Sequence, residues 1–381
     1  MGKLYYFEGI RGIAAFVVLI SHFIQIFYPG LFSTDVNLMH HGLEEGISET
    51  PLNLFYNGNF AVCIFFVLSG FVLSYKFFVK KDKEILVESA VKRYFRLAIP
   101  VITSLLLAFI FLKLNWYYYG KIIFETRATM PDFYSETVTF LQIIKEGLYS
   151  TFFENTTSLN PVLWTMYYEL LGSFIVFGFL ALFGNSKNRY LFYGVLLITF
   201  WNSYFIAFIL GMILCDLIVN TNMLKILKQK LIVFLFLIIG LFLGSYPYVN
   251  PMGTVYEFLV INPSSTFNYF MFYHIVGSVL LLIAVLGSDI LQKFLSIKPF
   301  IFLGNISFSL YLIHFIILCS FSSYLFMRLL DGGLPYNLSF LIMAFPSIII
   351  IFALSYIMHK LIDSKSVDIS KKVYEKYFKN S

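Results

Sequence analysis

The sequence predicts an all-α protein, a polytopic membrane helix bundle of about ten transmembrane helices with both termini cytoplasmic. Three observations carry that expectation. Of the 381 residues, 59% are apolar and only 13% are charged, against roughly 45–50% and about 25% in soluble domains. Mean hydropathy is +0.81, and the apolar residues gather in long runs. Lys and Arg, finally, crowd into alternate connections between those runs. An aromatic content of 20% excludes a disordered chain. Cys63, Cys215 and Cys319 all fall in apolar stretches, so neither a disulfide framework nor a metal cluster is expected. The formal charge of +6 comes from scattered lysines beside the runs, which argues against a nucleic-acid partner.

A bilayer core about 30 Å thick needs about 20 apolar residues per helix. Runs of this kind cover 12–28, 58–79, 97–114, 163–183, 189–201, 204–219, 231–248, 268–287, 305–329 and 337–362. The fifth and sixth are short and separated only by Trp201, Asn202, Ser203 and Tyr204. They form either a tight hairpin or one long helix over 189–219, which would reduce the count to nine. Charge placement decides for ten, because Lys and Arg concentrate in cytoplasmic loops. With the N-terminus inside, 22 of the 27 basic residues face the cytoplasm, from Lys3 and Arg11 to the six between Lys360 and Lys379. Merging the two short runs would put half of those 22 outside.

The first run lacks a small-residue cleavage site, so it reads as a retained span and not as a signal peptide. No internal repeat or low-complexity linker is visible. Outer loops of substance are 29–57 and 115–162, and the polar tail after 362 is too short for a second folded domain. A single membrane domain over 1–381 is expected.

Ionisable side chains inside a bilayer are costly, so each is a functional candidate. Arg11 and His22 stand eleven residues apart on the first run. At 100° per residue they share one face, and a rise of about 16 Å puts His22 near mid-bilayer if Arg11 is at the inner edge. A neutral imidazole there can take a proton from a hydroxyl. For His22 alone, a hydrogen bond to a neighbouring helix is an equally good reading. Arg93 and Arg96 lie three apart before Pro100, so on a helix their guanidinium forks point together and suit phosphate oxygens. A lipid-headgroup anchor is the simpler account of that pair alone.

Ser69-Gly70 in the second run invites close helix packing. Ser69 has no base beside it in sequence that would make it a nucleophile. Glu169 follows Trp164 by five residues, and a carboxylate at that depth needs an Arg or His partner or else a proton. Ser307, Tyr311 and His314, spaced four and three apart, form one polar stripe that acts as glue or as a cavity wall. Asp216 and His274 read as structural. His40, His41, Glu44 and Glu45 match no established metal-ligand spacing and read as a solvated loop. Trp116, Tyr117, Tyr118 and Tyr119 read as an interfacial aromatic belt.

Several of these segments resemble the integral-membrane acyltransferase-3 family of bacterial O-acyltransferases. Phe7-Glu8-Gly9-Ile10-Arg11-Gly12 through His22 resembles its opening Arg-to-His pattern. Val62 to Phe71, Arg93 to Pro100, Leu163 to Glu169 and Gly304 to His314 are similar to its later motifs, in family order. The resemblance implies a bundle of about ten helices in the bacterial inner membrane. Such a bundle moves an acyl group, above all acetyl, from acyl-CoA to a hydroxyl of an envelope glycan or glycolipid. His22 would take the essential basic role and Arg11 a supporting one. Arg93 and Arg96 would recognise acyl-CoA, with Glu169, Trp164, Ser69, Tyr311 and His314 binding the acceptor or supporting the site. Two departures stand out: the family's last span often ends Glu-Pro but here runs Asp363-Ser364-Lys365-Ser366, and larger members carry an extracytoplasmic hydrolase-like domain after the spans that is not expected in this sequence.

Acyl-CoA is thus expected as a co-substrate with no tightly bound cofactor, and membrane lipid and the glycan as partners. A homodimer is compatible with the sequence. Either direct attack of the acceptor or an acyl-histidine relay fits these residues. A secondary transporter or flippase for a glycan or glycolipid is the competing class. It would show inverted repeats or Gly/Pro-broken helices in matching halves.

Overall fold

The computed structural model describes residues 4–33, 35–261 and 267–379; Lys3, counted above in the charge pattern, lies outside them. Among the described residues 79% are helical and none is in a strand, so the all-α expectation holds. Seven helices are long and apolar enough to cross a membrane. They are α1 (Tyr5–Phe27), α2 (Gly58–Lys80), α3 (Glu84–Lys113) and α4 (Pro161–Phe183), then, after three shorter apolar helices α5 (Arg189–Thr199), α6 (Phe205–Asn220) and α7 (Lys230–Gly244), α8 (Tyr269–Gly287), α9 (Lys298–Asp331) and α10 (Tyr336–Tyr377). This is a multi-pass membrane protein. The run over 189–219 is broken between Thr199 and Phe205, as the hairpin reading expects.

Several helix limits differ from the sequence expectation; α1 begins at Tyr5, not near 12, and α9 at Lys298, not near 305. Helix α3 begins at Glu84, not near 97, and carries Pro100 inside it. Proline removes one N–H, which neighbouring helices in a membrane bundle compensate. Helix α10 does not stop near 362, since no Gly or Pro follows the span to end it. Its buried positions are Ser339, Met343, Ser347, Ile351, Ser355, Met358, Asp363, Ser366 and Ser370. They recur at helical spacing except for one step of five, which falls at a π-helical turn over His359–Asp363.

The chain packs as two compact units. The first comprises Met1–Val18, Gly46–Arg93 and Tyr168–Gly304. Its tightest contact joins α2 and α6, where Gly70 and Gly211 let backbones meet. A Cβ on Gly70 would lie 2.1 Å from the carbonyl oxygen of Phe208, and one on Gly211 would lie 2.1 Å from that of Val67. Asp216 is fully buried and completely satisfied. Arg189 grips it with two N–H bonds of 2.6 and 3.0 Å, and Tyr193 and Asn220 donate to it at 3.0 and 2.6 Å. His274 sits 2.9 Å from Asn59 and 3.0 Å from the Tyr246 carbonyl. Both residues join helices, in keeping with their structural reading.

The second unit comprises Leu19–Glu45, Tyr94–Tyr167 and Asn305–Ser381. Ser322 on α9 donates to Ser347 on α10 at 2.8 Å, and Phe27 packs edge-on against Phe326 at 5.0 Å. The segment 29–57 is anchored by His40, which stacks on Tyr336 at 3.9 Å and donates to the Thr126 carbonyl at 3.1 Å. Glu44 accepts from the backbone N–H groups of His40 and His41 at 2.7 and 2.9 Å, so it shapes this loop. Glu146 accepts from the backbone and hydroxyl of Ser158. Burial pushes its pKa up, and those two hydrogen bonds oppose the shift.

Candidate active site

In the first unit the opening segment of α1 lies backbone-to-backbone against the start of α9. A Cβ on Gly12 would come within 2.6 Å of the Phe300 carbonyl oxygen, and one on Gly304 within 2.1 Å of that of Glu8. Close approach thus explains glycines in both the Arg11 and the Gly304 motifs. Arg11 is half-buried and reaches Glu8, one turn back, at 3.5 Å.

Arg93 lies close enough to Arg11 for the two cations to repel. It is the better buried of the two, with 12% of its side chain exposed. One guanidinium nitrogen grips the Glu169 carboxylate, and Nε donates to Ser173 at 2.8 Å. Ser69 donates to the same carboxylate at 3.2 Å. Glu169 therefore has the Arg partner that its depth demanded. Ser69 does have a carboxylate beside it, supplied by α4 across a hundred residues of chain. That carboxylate is shared with Arg93, and it anchors the hydroxyl. Ser173 is a member that the sequence did not suggest. Its only signal was a place one turn after Glu169 on the same helix face.

In the second unit His22 and His314 meet. His314 is 1% exposed, and its Nε2 lies 3.0 Å from Nδ1 of His22. Nδ1 of His314 lies 2.9 Å from the Leu310 carbonyl oxygen. A carbonyl only accepts, so that Nδ1 carries the proton and Nε2 carries the lone pair. His22 must then donate from Nδ1, which leaves the lone pair of its own ring on Nε2. The order of the protons along the pair thus follows from a backbone carbonyl one turn away. Phe315 packs edge-on against His22 at 5.4 Å.

Tyr311 donates to the Val162 carbonyl at 2.7 Å and accepts from Thr165 at 2.9 Å. Asn160 donates to the Leu312 carbonyl at 2.9 Å. The start of α4 is thereby tied to the stretch of α9 that carries His314. Trp164 is half-buried in that first turn, Ser307 is buried on α9, and Arg96 is exposed on α3. Thr165 and Asn160 were not singled out from the sequence, because neither belongs to a charged or repeated pattern. Among the described residues, no three His, Cys, Asp or Glu side chains gather into a group able to hold a metal ion.

The geometry offers a hydrogen-bonded imidazole pair in one unit and a pair of carboxylate-held guanidinium groups in the other. Neither the curated proteins nor the solved structures yield a match to this chain. A family model described as an acyltransferase domain (Acyl_transf_3) matches residues 4–358. That span contains every motif described above, and the chain belongs to the acyltransferase-3 family of membrane proteins.

Proposed function

We propose that this protein is an O-acyltransferase of the bacterial inner membrane. It moves an acyl group, above all acetyl, from acyl-CoA to a hydroxyl of an envelope glycan or glycolipid. The observation that carries this is the hydrogen bond between His22 and His314, which leaves a lone pair on Nε2 of His22. Acyl-CoA enters from the cytoplasmic side with its phosphates at the exposed Arg96, while Arg93, held by Glu169, has a supporting role. The acceptor oxygen attacks the thioester carbonyl while His22 Nε2 takes its proton. A carbon–oxygen bond forms, the carbon–sulfur bond breaks, and the proton passes from His22 to the departing thiolate. The products are the ester and free CoA. Arg11, Glu169, Trp164, Ser69, Tyr311 and His314 support this chemistry.

The same proposal includes ten crossings with both termini cytoplasmic. Helices α5 and α6 rise only about 16 and 24 Å. As a hairpin they return the chain to the side it left, whether or not each crosses the whole core. The lysines between 225 and 230 then lie on the same side as Lys187, as the positive-inside rule requires. A transporter or flippase would need no acyl donor. Purified protein in vesicles, supplied with radiolabelled acetyl-CoA and a glycan acceptor but no ion gradient, should label the acceptor. Gradient-dependent movement of the glycan without labelling would contradict the proposal.

A further inference from the structure

Helix α10 runs on to Tyr377, well past the family match, which ends at residue 358. The 23 residues from Tyr336 to Met358 rise about 35 Å, enough to cross the hydrocarbon core. After the π-helical turn, the helix runs on from Ser364 to Tyr377. This extension is not solvated all round. Ser366 and Ser370 are buried, and the Ser366 hydroxyl lies 3.4 Å from the backbone carbonyl oxygen of Arg96 on α3. The extension is therefore held beside the segment that presents Arg96, whose side chain is exposed.

Lys365, Lys372, Lys376 and Lys379 are all exposed. Lys365, Lys372 and Lys376, seven and four apart on the helix, lie within an arc of about 40° on one face, and Lys379 follows just past the helix end. The two buried serines point away from that arc. Asp368 borders the stripe, and Glu375 is engaged by Lys371 at 3.8 Å. We infer that this stripe, together with Arg96, binds the phosphates at the nucleotide end of the acyl-CoA donor. This rests on the acyl-CoA reading above and adds a site to it. The 3′-phosphate and the diphosphate of CoA are separated groups that suit cations strung along a helix. Lipid headgroups fit less well, because the helix continues the span outward. Lys372 and Lys376 then stand beyond a headgroup layer only about 6 Å deep.

The test uses full-length protein in vesicles of neutral phosphatidylcholine, with acetyl-CoA and acetyl-pantetheine as alternative donors. The triple variant Lys365→Gln, Lys372→Gln, Lys376→Gln should raise KM for acetyl-CoA about tenfold, with kcat unchanged. That corresponds to about 1.4 kcal/mol over three exposed contacts. KM for acetyl-pantetheine, which lacks the nucleotide phosphates, should stay the same. The matching Lys→Arg triple should keep the wild-type KM. An unchanged KM for acetyl-CoA, or an equal loss with both donors, would overturn the site. A defect seen only in vesicles containing anionic lipid would overturn it in favour of headgroup binding. Wild-type protein inert toward acetyl-CoA would instead overturn the donor reading on which the site rests.

Discussion

Nε2 of His314 and Nδ1 of His22 lie 3.0 Å apart, and the Leu310 carbonyl beside the first ring sets the proton order of both. Two neutral imidazoles joined in this way act as a unit. His314 works through His22, as a positioning residue. Replacing His314 by Ala removes the acceptor that holds His22 Nδ1–H and should lower kcat about 100-fold, within the range of general-base effects, with little change in KM. His314→Gln, whose amide oxygen can still accept, should recover part of that loss. Steady-state kinetics on the two variants separates positioning from simple misfolding.

Arg93 and Glu169 are both nearly buried, so removing one partner leaves the other charged and desolvated. Glu169→Ala should destabilise the protein by about 3–5 kcal/mol. Replacing both partners with apolar residues of similar volume should cost much less than the sum of the single changes. Thermal unfolding in detergent across the four-member cycle measures the coupling directly.

Tyr311 ties α9 to the start of α4 through Val162 and Thr165. Tyr311→Phe removes the shorter donor to the Val162 carbonyl, which keeps Thr165 at 3.2 Å, and should cost about 0.5–1.5 kcal/mol. Protein that remains folded should keep most of its kcat. A large kcat loss with unchanged unfolding behaviour would instead place Tyr311 in the chemistry.

His40 gives the loop 29–57 a pH dependence of known sign. Burial lowers its pKa below the ordinary 6.5, outweighing the upward pull of the Thr126 carbonyl. Glu44 also favours its protonation, while Arg127 and His41 oppose it. The folded state prefers the neutral ring, so the unfolded loop binds a proton more readily. The stability His40 contributes is present above its ordinary value and is lost as pH falls through the lowered one. Once corrected for the intrinsic rate, which itself falls on acidification, hydrogen exchange of the amides around His40 should therefore show an excess on going from about pH 7 to about pH 5. His40→Phe, which keeps the stacking on Tyr336, should abolish that excess.

The helices were legible in the sequence because spanning a bilayer imposes one simple pattern. The runs at 58–79 and 268–287 match α2 and α8 to within a residue. Where other forces act, the ends were less legible. Hydropathy cannot see that α3 starts at Glu84 or that α10 runs on to Tyr377, because both extensions are polar and are held by contacts from elsewhere in the chain. The same limit applied to the site. Arg11, His22, Arg93, Glu169 and His314 were each visible as charged or titratable groups in apolar surroundings. Their pairing was not, since His22 and His314 are 292 residues apart and Arg93 and Glu169 are 76 apart. Ser69 shows this most plainly. Nothing near it in sequence marks its partner, and only the packing of α2 against α4 supplies Glu169.

The most direct measurement is acyl transfer by His22→Ala, purified, reconstituted in vesicles and supplied with radiolabelled acetyl-CoA and glycan acceptor. If the His22 lone pair activates the acceptor hydroxyl, labelling should fall by a factor of about 10²–10⁴ while the unfolding temperature stays within a few degrees of wild type. Wild-type labelling by a folded His22→Ala protein would contradict that role.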